Sequence, residues 1–452
     1  MGKIYKKLSL TLAILIALNP ISILAQENNA VTPGQKVEEL TNIEEQVVDS
    51  EEKPELSKEE KELQKEMEED ARLFREVEKV QNQSIKSLTN SYLIGDYETG
   101  EIFEGNNIDK RVAIASTTKV LTVFVVLDEI SKGNISLDDK ITIDSETAKI
   151  KGSTYDLKEG EIVTVKELID AAMIVSANDA VYALSKHVSG SEKAFTEKMG
   201  EKLRSLGITN YQIINSSGLP DYTLNAQNEL TTRDLFTLSR AFIKAYPEIL
   251  KTTSTPRIRN LEREFYTRNT DPMLGVIPEV DGLKTGYTGL AGRCLISTGI
   301  KYETEENLKP FRLIGITMGS PSNGARYVAA KKLMENGFQN YNTIKIADSV
   351  SPVQVINQDR FYPKEVYVFN KDEYYKVVKN KEAIWSEMEI NEVESGMKKG
   401  DVIGHIKYYE GENLIYENDL IIKEDIREKS PFGLLVTIFN RMYDDVNMLF
   451  NA

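Results

Sequence analysis

At Ser116-Thr-Thr-Lys119 a helix opens: Arg111-Val-Ala-Ile-Ala precedes it, and Val-Leu-Thr followed by the apolar run Val123 to Leu127 continues it. A serine at a helix entrance sits beside unpaired backbone N–H groups, where the helix dipole favours developing negative charge. A lysine three residues on returns to the same face, one turn later. Hydroxyl and amine then come within hydrogen-bond reach, which is the minimum equipment for a nucleophile and a base without histidine. Taken alone, Ser-x-x-Lys is a weak signal whose bland reading is a capped helix with an exposed lysine.

Composition narrows what such a pair can serve. The 452 residues allow two or three domains with a sizeable core, and 40% hydrophobic content is that of a globular chain. A net charge of −15 argues against a nucleic-acid partner. One cysteine, Cys294, excludes an internal disulfide and a cysteine-rich metal site, and reads as a buried strand residue. Two histidines, His187 and His405, leave little for a histidine metal centre or a Ser-His-Asp triad, and no Gly-x-Ser-x-Gly elbow accompanies them. The reading calls for no cofactor and no metal.

Lys3, Lys6 and Lys7 precede the apolar run Leu8 to Leu18 and Ile-Ser-Ile-Leu-Ala25, a secretory signal over residues 1–25 with cleavage near Ala25. Because Ile23 is a poor fit at the cleavage site, retention as an N-terminal anchor is the alternative; either way the chain is expected to act outside the cytoplasm, at the cell wall or the outer face of the cytoplasmic membrane. Residues 26–85 are acidic and poor in aromatics, with Leu63, Met67, Phe74, Val77 and Val80 at helical spacing. They read as a partly helical linker, a solvated spacer in preference to a coiled coil that binds a partner.

From 86 to 340 strands at both ends enclose a helical middle. Ser91 to Gly100 and the following Glu-Ile-Phe-Glu make a hairpin, and Arg293 to Thr298 and Phe311 to Met318 make two antiparallel strands. Between them lie a helix over Lys166–Val175, a break at Ser176-Ala-Asn-Asp179, and a helix begun by Thr231-Thr-Arg-Asp234. His187 is read as packed or solvent-facing and Asp179 as a helix cap. The fold class is α+β: an antiparallel sheet covered by helices, with a helical subdomain. Residues 341–428 carry short alternating strands, a small all-β domain. Residues 429–452 form an amphipathic helix with Phe432, Leu435, Ile438, Phe439, Met442, Val446 and Leu449 in one stripe. Arg441, Asp444 and Asp445 interrupt it, so it does not span a membrane. Docking in the membrane interface is preferred to packing on the β domain.

Ser-x-x-Lys at 116–119, Ser-x-Asn at 176–178 and Lys-Thr-Gly at 284–286 occur in that order, in helix, loop and strand contexts. Together they are a strong signal. The set resembles that of penicillin-binding proteins and serine β-lactamases. With Gly218-Leu-Pro-Asp221, Thr231-Thr-Arg-Asp234, the following β domain and the terminal amphipathic helix, the chain resembles the low-molecular-mass penicillin-binding D-alanyl-D-alanine carboxypeptidases from about 88 to 428. That family usually has histidine near 229 and after Lys-Thr-Gly; here stand Glu229 and Tyr287. The resemblance implies a β-lactamase/transpeptidase-like catalytic fold. It also implies a peptidoglycan stem peptide ending in D-Ala-D-Ala as substrate and β-lactams as acylating mimics.

In chemical terms Ser116 is the acyl nucleophile, and Lys119 the general base, kept neutral by burial and by Lys284. Ser176 relays a proton. Asn178 holds Lys119 or binds the substrate amide, and Lys284 and Thr285 bind the terminal carboxylate. Gly286 permits close backbone approach, and the strand at Tyr287 offers an oxyanion N–H beside that of Ser116. The resemblance implies Arg326 as a second carboxylate anchor; a surface arginine is the alternative. A β-lactamase would need a glutamate for its deacylating water, and no Glu-x-x-Leu-Asn run lies between Ser176 and Lys284. A non-catalytic wall-binding protein would not need all four of Ser116, Lys119, Ser176 and Lys284.

Overall fold

The computed structural model describes residues 56–380 and 383–450. The expected signal segment and the acidic stretch before residue 56 lie outside the described residues. The chain divides into two compact units: the described residues through Ile300 with Arg312–Gly337, and Lys301–Phe311 with the residues from Phe338 on.

The first unit is built on a five-stranded sheet in the order β2-β1-β11-β10-β9. Strand β1 (Ser91–Asp96) runs antiparallel to β2 (Ile102–Asn106) and to β11 (Phe311–Ser320), with Leu93 opposite Ile316. Strand β10 (Gly292–Lys301) runs antiparallel to β9 (Val280–Thr288), placing Ile296 opposite Lys284. The first and last strands of the unit thus lie side by side, as expected for a sheet made from both ends of the segment. Short pairs complete it: β3 (Arg111–Ala113) with β6 (Glu229–Thr231), β4 (Lys140–Thr142) with β5 (Ile162–Thr164), and the hairpin of β7 (Arg257–Asn260) and β8 (Phe265–Arg268).

Seven helices matter to the first unit: α1 (Lys58–Val80), α2 (Thr118–Ser131), α3 (Val165–Ile174), α4 (Asn178–Ser189), α5 (Glu192–Ser205), α6 (Thr232–Ala245) and α7 (Asn323–Asn340). Helix α2 is buried along nearly its whole length, from Thr118 to Leu127. Its apolar run is therefore the centre of the helical layer and not one face of a surface helix. Phe124 packs against Phe242 and Tyr246 at ring-centroid distances of 5.3 and 5.8 Å. Each such ring removed from water contributes about 1.5–3 kcal/mol. Helix α6 begins with a reciprocal cap: the Thr231 hydroxyl accepts from the Asp234 N–H, and the Asp234 carboxylate accepts from the Thr231 N–H.

One expectation fails. Residues 58–80 are not a solvated spacer. Helix α1 is docked on the first unit through Glu66–Arg257 (2.8 Å), Glu59–Arg259 (3.2 Å) and Asp70–Arg268 (2.6 Å). The acidic composition that suggested solvent exposure is matched instead by arginines on the β7–β8 hairpin.

The second unit holds a five-stranded sheet of Pro352–Asn357, Glu365–Asn370, Asn413–Ile422, Val402–Glu410 and Ile384–Ile390, in that spatial order. Val366, Val368, Ile403, Ile406 and Leu420 form its core. Alternation along Glu365–Asn370 and the second half of Asn413–Ile422 turns every second side chain into it. Helix α8 (Pro431–Phe450) follows.

Candidate active site

Ser116 does not sit in the first turn of the α-helix. It lies on a turn of 3-10 helix, Ala115–Thr117, that leads into α2. The Ile114 N–H donates to the Asn228 carbonyl, and the Thr117 hydroxyl donates to the Ile114 carbonyl at 2.6 Å. The first bond ties the turn to the rest of the unit and the second closes the turn on itself. One turn on, Lys119 is fully buried. Its Nζ lies 2.9 Å from Ser116 Oγ, 2.7 Å from Asn178 Oδ1 and 3.0 Å from the Ser217 carbonyl oxygen.

The amine donates to the amide and carbonyl oxygens, and the hydroxyl of Ser116, which accepts from it here, can equally donate to its lone pair once the amine is uncharged. Burial holds the Lys119 amine well below the usual lysine range, and the positive charge of Lys284 pushes it the same way. Asp179 opposes both. The order of causes refines the sequence argument: loss of solvent comes first and the second cation only assists.

Ser176 and Asn178 stand where α3 stops and α4 starts. Ser176 is buried at φ +64°, in the left-handed region that non-glycine residues rarely occupy, and lines the cleft that holds Ser116. Asn178 turns Oδ1 to Lys119 while its Nδ2 donates to the Lys151 carbonyl at 2.9 Å. The two donor–acceptor ends settle which way the amide points.

Asp179 is not the helix cap. The N-cap of α4 is Ala177, whose side chain makes no capping bond. The Asp179 carboxylate instead accepts the N–H groups of Tyr155, Leu157 and Ala180 at 2.9–3.1 Å. It thereby fastens the loop around 153–157, which forms one side of the cleft.

The third motif comes from β9. Lys284 is buried, with Nζ 3.0 Å from the Thr285 carbonyl. Burial lowers its pKa to about 7, with Asp271 resisting and Arg326 assisting. Thr285 bonds through its hydroxyl to that of Thr270 at 2.6 Å. A Cβ on Gly286 would stand 3.1 Å from the Ser116 nitrogen, the Thr117 nitrogen and the Ile114 oxygen. Any side chain here would press the strand and the serine turn apart by a few tenths of an ångström. Tyr287 is exposed on the rim, its ring 4.3 Å from the Arg293 guanidinium.

Arg326 is no surface arginine. It lines the cleft from α7, with its Nε buried and without a hydrogen-bond partner, and burial lowers its pKa to about 10. Ser116, Ser176, Thr285, Gly286, Tyr287 and Arg326 share one cleft of about 870 Å³.

Two participants were missed from sequence. The Ser217 carbonyl is a partner of Lys119, and a backbone oxygen has no sequence signature. Asp271 is buried on the cleft wall, and burial raises its pKa to about 6, against the Met273 N–H and the positive Arg326 and Lys284. The Asn269-Thr-Asp-Pro272 turn was its available signal.

The departures also find partners. Glu229 pairs with Arg111 at 2.8 Å, joining β6 to β3. His187 does have an acidic neighbour, Asp139 at 3.3 Å, which no reading of local sequence supplies. Cys294 is fully buried in β10, and burial raises its thiol to about 11. Among the described residues no group of His, Cys, Asp and Glu is arranged to hold a metal ion.

The chain is similar to known proteins. Residues 76–322 match the family described as D-alanyl-D-alanine carboxypeptidase, and residues 338–428 match the C-terminal domain of penicillin-binding protein 5. D-alanyl-D-alanine carboxypeptidase DacF of Bacillus subtilis is 26% identical over 75% of this chain and 86% of its own length. DacA of Haemophilus influenzae is 29% identical over 76% of this chain and 87% of its own. The crystal structure of penicillin-binding protein 5 from H. influenzae, 26% identical, superposes with a TM-score of 0.57 over 75% of this chain and 98% of that one. The chain belongs to the D-alanyl-D-alanine carboxypeptidase family, with the catalytic unit and following β domain of a low-molecular-mass penicillin-binding protein.

Proposed function

We propose that this protein is a serine carboxypeptidase that removes the terminal D-alanine from peptidoglycan stem peptides through an acyl-enzyme on Ser116. The observation that carries it is the buried Lys119 amine 2.9 Å from Ser116 Oγ, in a cleft that also holds Thr285 and Arg326. Thr285 and Arg326, with Lys284 behind them, take the terminal carboxylate, and this sets the penultimate carbonyl against Ser116. Lys119 accepts the hydroxyl proton as Oγ attacks. The N–H groups of Ser116 and of the strand at Tyr287 receive the oxyanion. Ser176 passes the proton to the leaving amine, and D-alanine departs. Water then cleaves the ester with Lys119 as base again. Asn178 keeps the amine aimed, and Gly286 keeps the strand close enough for both N–H groups to reach one oxygen.

Export fits this substrate, which lies outside the cytoplasmic membrane. A membrane-impermeant fluorescent penicillin added to intact producing cells is expected to acylate this protein, with the adduct mapped to Ser116. Labelling only after lysis would refute export, and an adduct on another residue would refute the nucleophile.

We also propose that α8 rests in the membrane interface. Phe432, Leu435, Ile438, Phe439 and Met442 are exposed and recur along one side of the helix, which favours docking over packing on the β domain. No helix among the described residues is long and apolar enough to cross a membrane. Co-sedimentation with phospholipid vesicles is expected for the full chain and reduced at least severalfold in Phe439→Glu. Equal sedimentation of both would reject docking through this face.

A further inference from the structure

Most of helix α1, residues 58–75, precedes the stretch that matches the family, yet it forms one side of the catalytic cleft. Glu62, Glu66, Glu69, Asp70 and Leu73 line the same cleft as Ser116. Their spacing places them on one helical face, over about 16 Å at 1.5 Å per residue.

The helix is fastened at both ends. Along its first half Glu59, Glu66, Glu69 and Asp70 meet Arg259, Arg257 and Arg268 of the β7–β8 hairpin, and Lys58 meets Glu264 at 2.6 Å. Glu66 is buried within this row, so its pair with Arg257 is shielded from solvent in a way that most surface pairs are not. At the other end the Gly324 N–H donates to Glu76 Oε2 at 2.8 Å. A Cβ on Gly324 would come within 2.7 Å of the Glu76 carbonyl carbon and 2.9 Å of the Val77 nitrogen, so the backbones of α1 and α7 are in contact there.

That second anchor lies two residues from Arg326. The carboxylate of a departing D-alanine would be held by Thr285 and Arg326, so the side of the cleft beyond it is where a larger leaving group would have to extend. Leu73 of α1 lines the cleft together with Asn323, Arg326 and Tyr327 at the start of α7, and the bond from Gly324 to Glu76 ties the two helices together there.

We propose that α1 is the end wall of the leaving-group side: it leaves room for one amino acid beyond the scissile amide and stops a second peptide. A free stem, whose leaving group is D-alanine, fits. A cross-linked stem, whose leaving group is a side-chain amine carrying another peptide, meets the helix. The wall is thus a specificity determinant for the hydrolysis already described, and the inference rests on the assignment of Thr285 and Arg326 to the carboxylate.

Full-length variants test it. Glu66→Arg puts like charge against Arg257, and Gly324→Val forces a side chain into the α1 backbone; the swap Glu66→Arg/Arg257→Glu restores opposite charges. Two readouts are needed: amide hydrogen exchange over 58–80, and the ratio of kcat/KM for a purified cross-linked stem-peptide dimer to that for linear diacetyl-Lys-D-Ala-D-Ala. Both single variants are expected to exchange faster and to raise the ratio about tenfold or more, with the swap returning it toward wild type. Faster exchange with an unchanged ratio would overturn the wall. Unchanged exchange in both variants would overturn the anchoring on which the wall depends. Lack of Ser116-dependent D-alanine release by the wild type would instead defeat the carboxypeptidase reading and say nothing in favour of the wall.

Discussion

Lys119→Ala is expected to lower D-alanine release from diacetyl-Lys-D-Ala-D-Ala by about 10⁴-fold, the upper range for a positioned general base. Ser116 Oγ has the Lys119 amine 2.9 Å away, and Asn178 and Ser217 hold that amine on its other sides. Without it the hydroxyl must lose its proton to water during attack. Removal also leaves the Asn178 and Ser217 oxygens short of a donor in a buried place, at roughly 1–3 kcal/mol each. Thermal unfolding should therefore be measured beside activity, so that lost chemistry is separated from lost fold. A folded Lys119→Ala protein that released D-alanine at the wild-type rate would remove Lys119 from the role of base.

Lys284→Met is expected to act through charge, and its signature is in the pH profile. Lys119 works only when neutral, so kcat/KM falls as the pH drops below the Lys119 pKa. The positive Lys284 helps to keep that pKa low, after burial. Removing the charge raises the Lys119 pKa and moves the acid limb to higher pH. The opposite limb should vanish: Lys284, at about 7 in the free enzyme, loses its charge as pH rises, and with it attraction for the substrate carboxylate. At neutral pH the combined loss should be about 10²-fold, given that a charge-assisted contact contributes about 1.5–3 kcal/mol. An acid limb that stayed in place would mean that burial alone keeps Lys119 uncharged.

The chemistry of this chain was more legible than its enclosure. Ser116, Lys119, Ser176, Asn178, Lys284 and Thr285 could be picked out as candidates because side-chain type and local spacing mark the motifs that carry them. The antiparallel sheet was readable from the paired runs at 91–104 and 293–318, where apolar residues repeat with the period of strands. The partners of these residues were not readable in the same way. The Ser217 carbonyl and Asp271 come up to Lys119 and Lys284 only after the chain has folded. Asp179 looked like a cap because it stands beside a helix start, but three N–H groups, two of them from a loop more than twenty residues earlier, claim its carboxylate. The misreading of α1 has the same origin. Glu66 and Asp70 look solvated until Arg257 and Arg268, far along the chain, are brought against them. Composition reports the charge of a segment and not whether the fold supplies its counter-charge.

Ala115 and Ser176 both hold left-handed backbone, at φ +46° and +64°, at the two hydroxyls proposed as nucleophile and relay. Such conformations cost roughly 1–3 kcal/mol apiece outside glycine. Drift toward robustness alone would favour glycine at 176, which relaxes the backbone and deletes the relay in one step. A chain that keeps serine at 176 is therefore expected to unfold more readily than its Ser176→Gly counterpart, which would be sturdier and without the proposed relay.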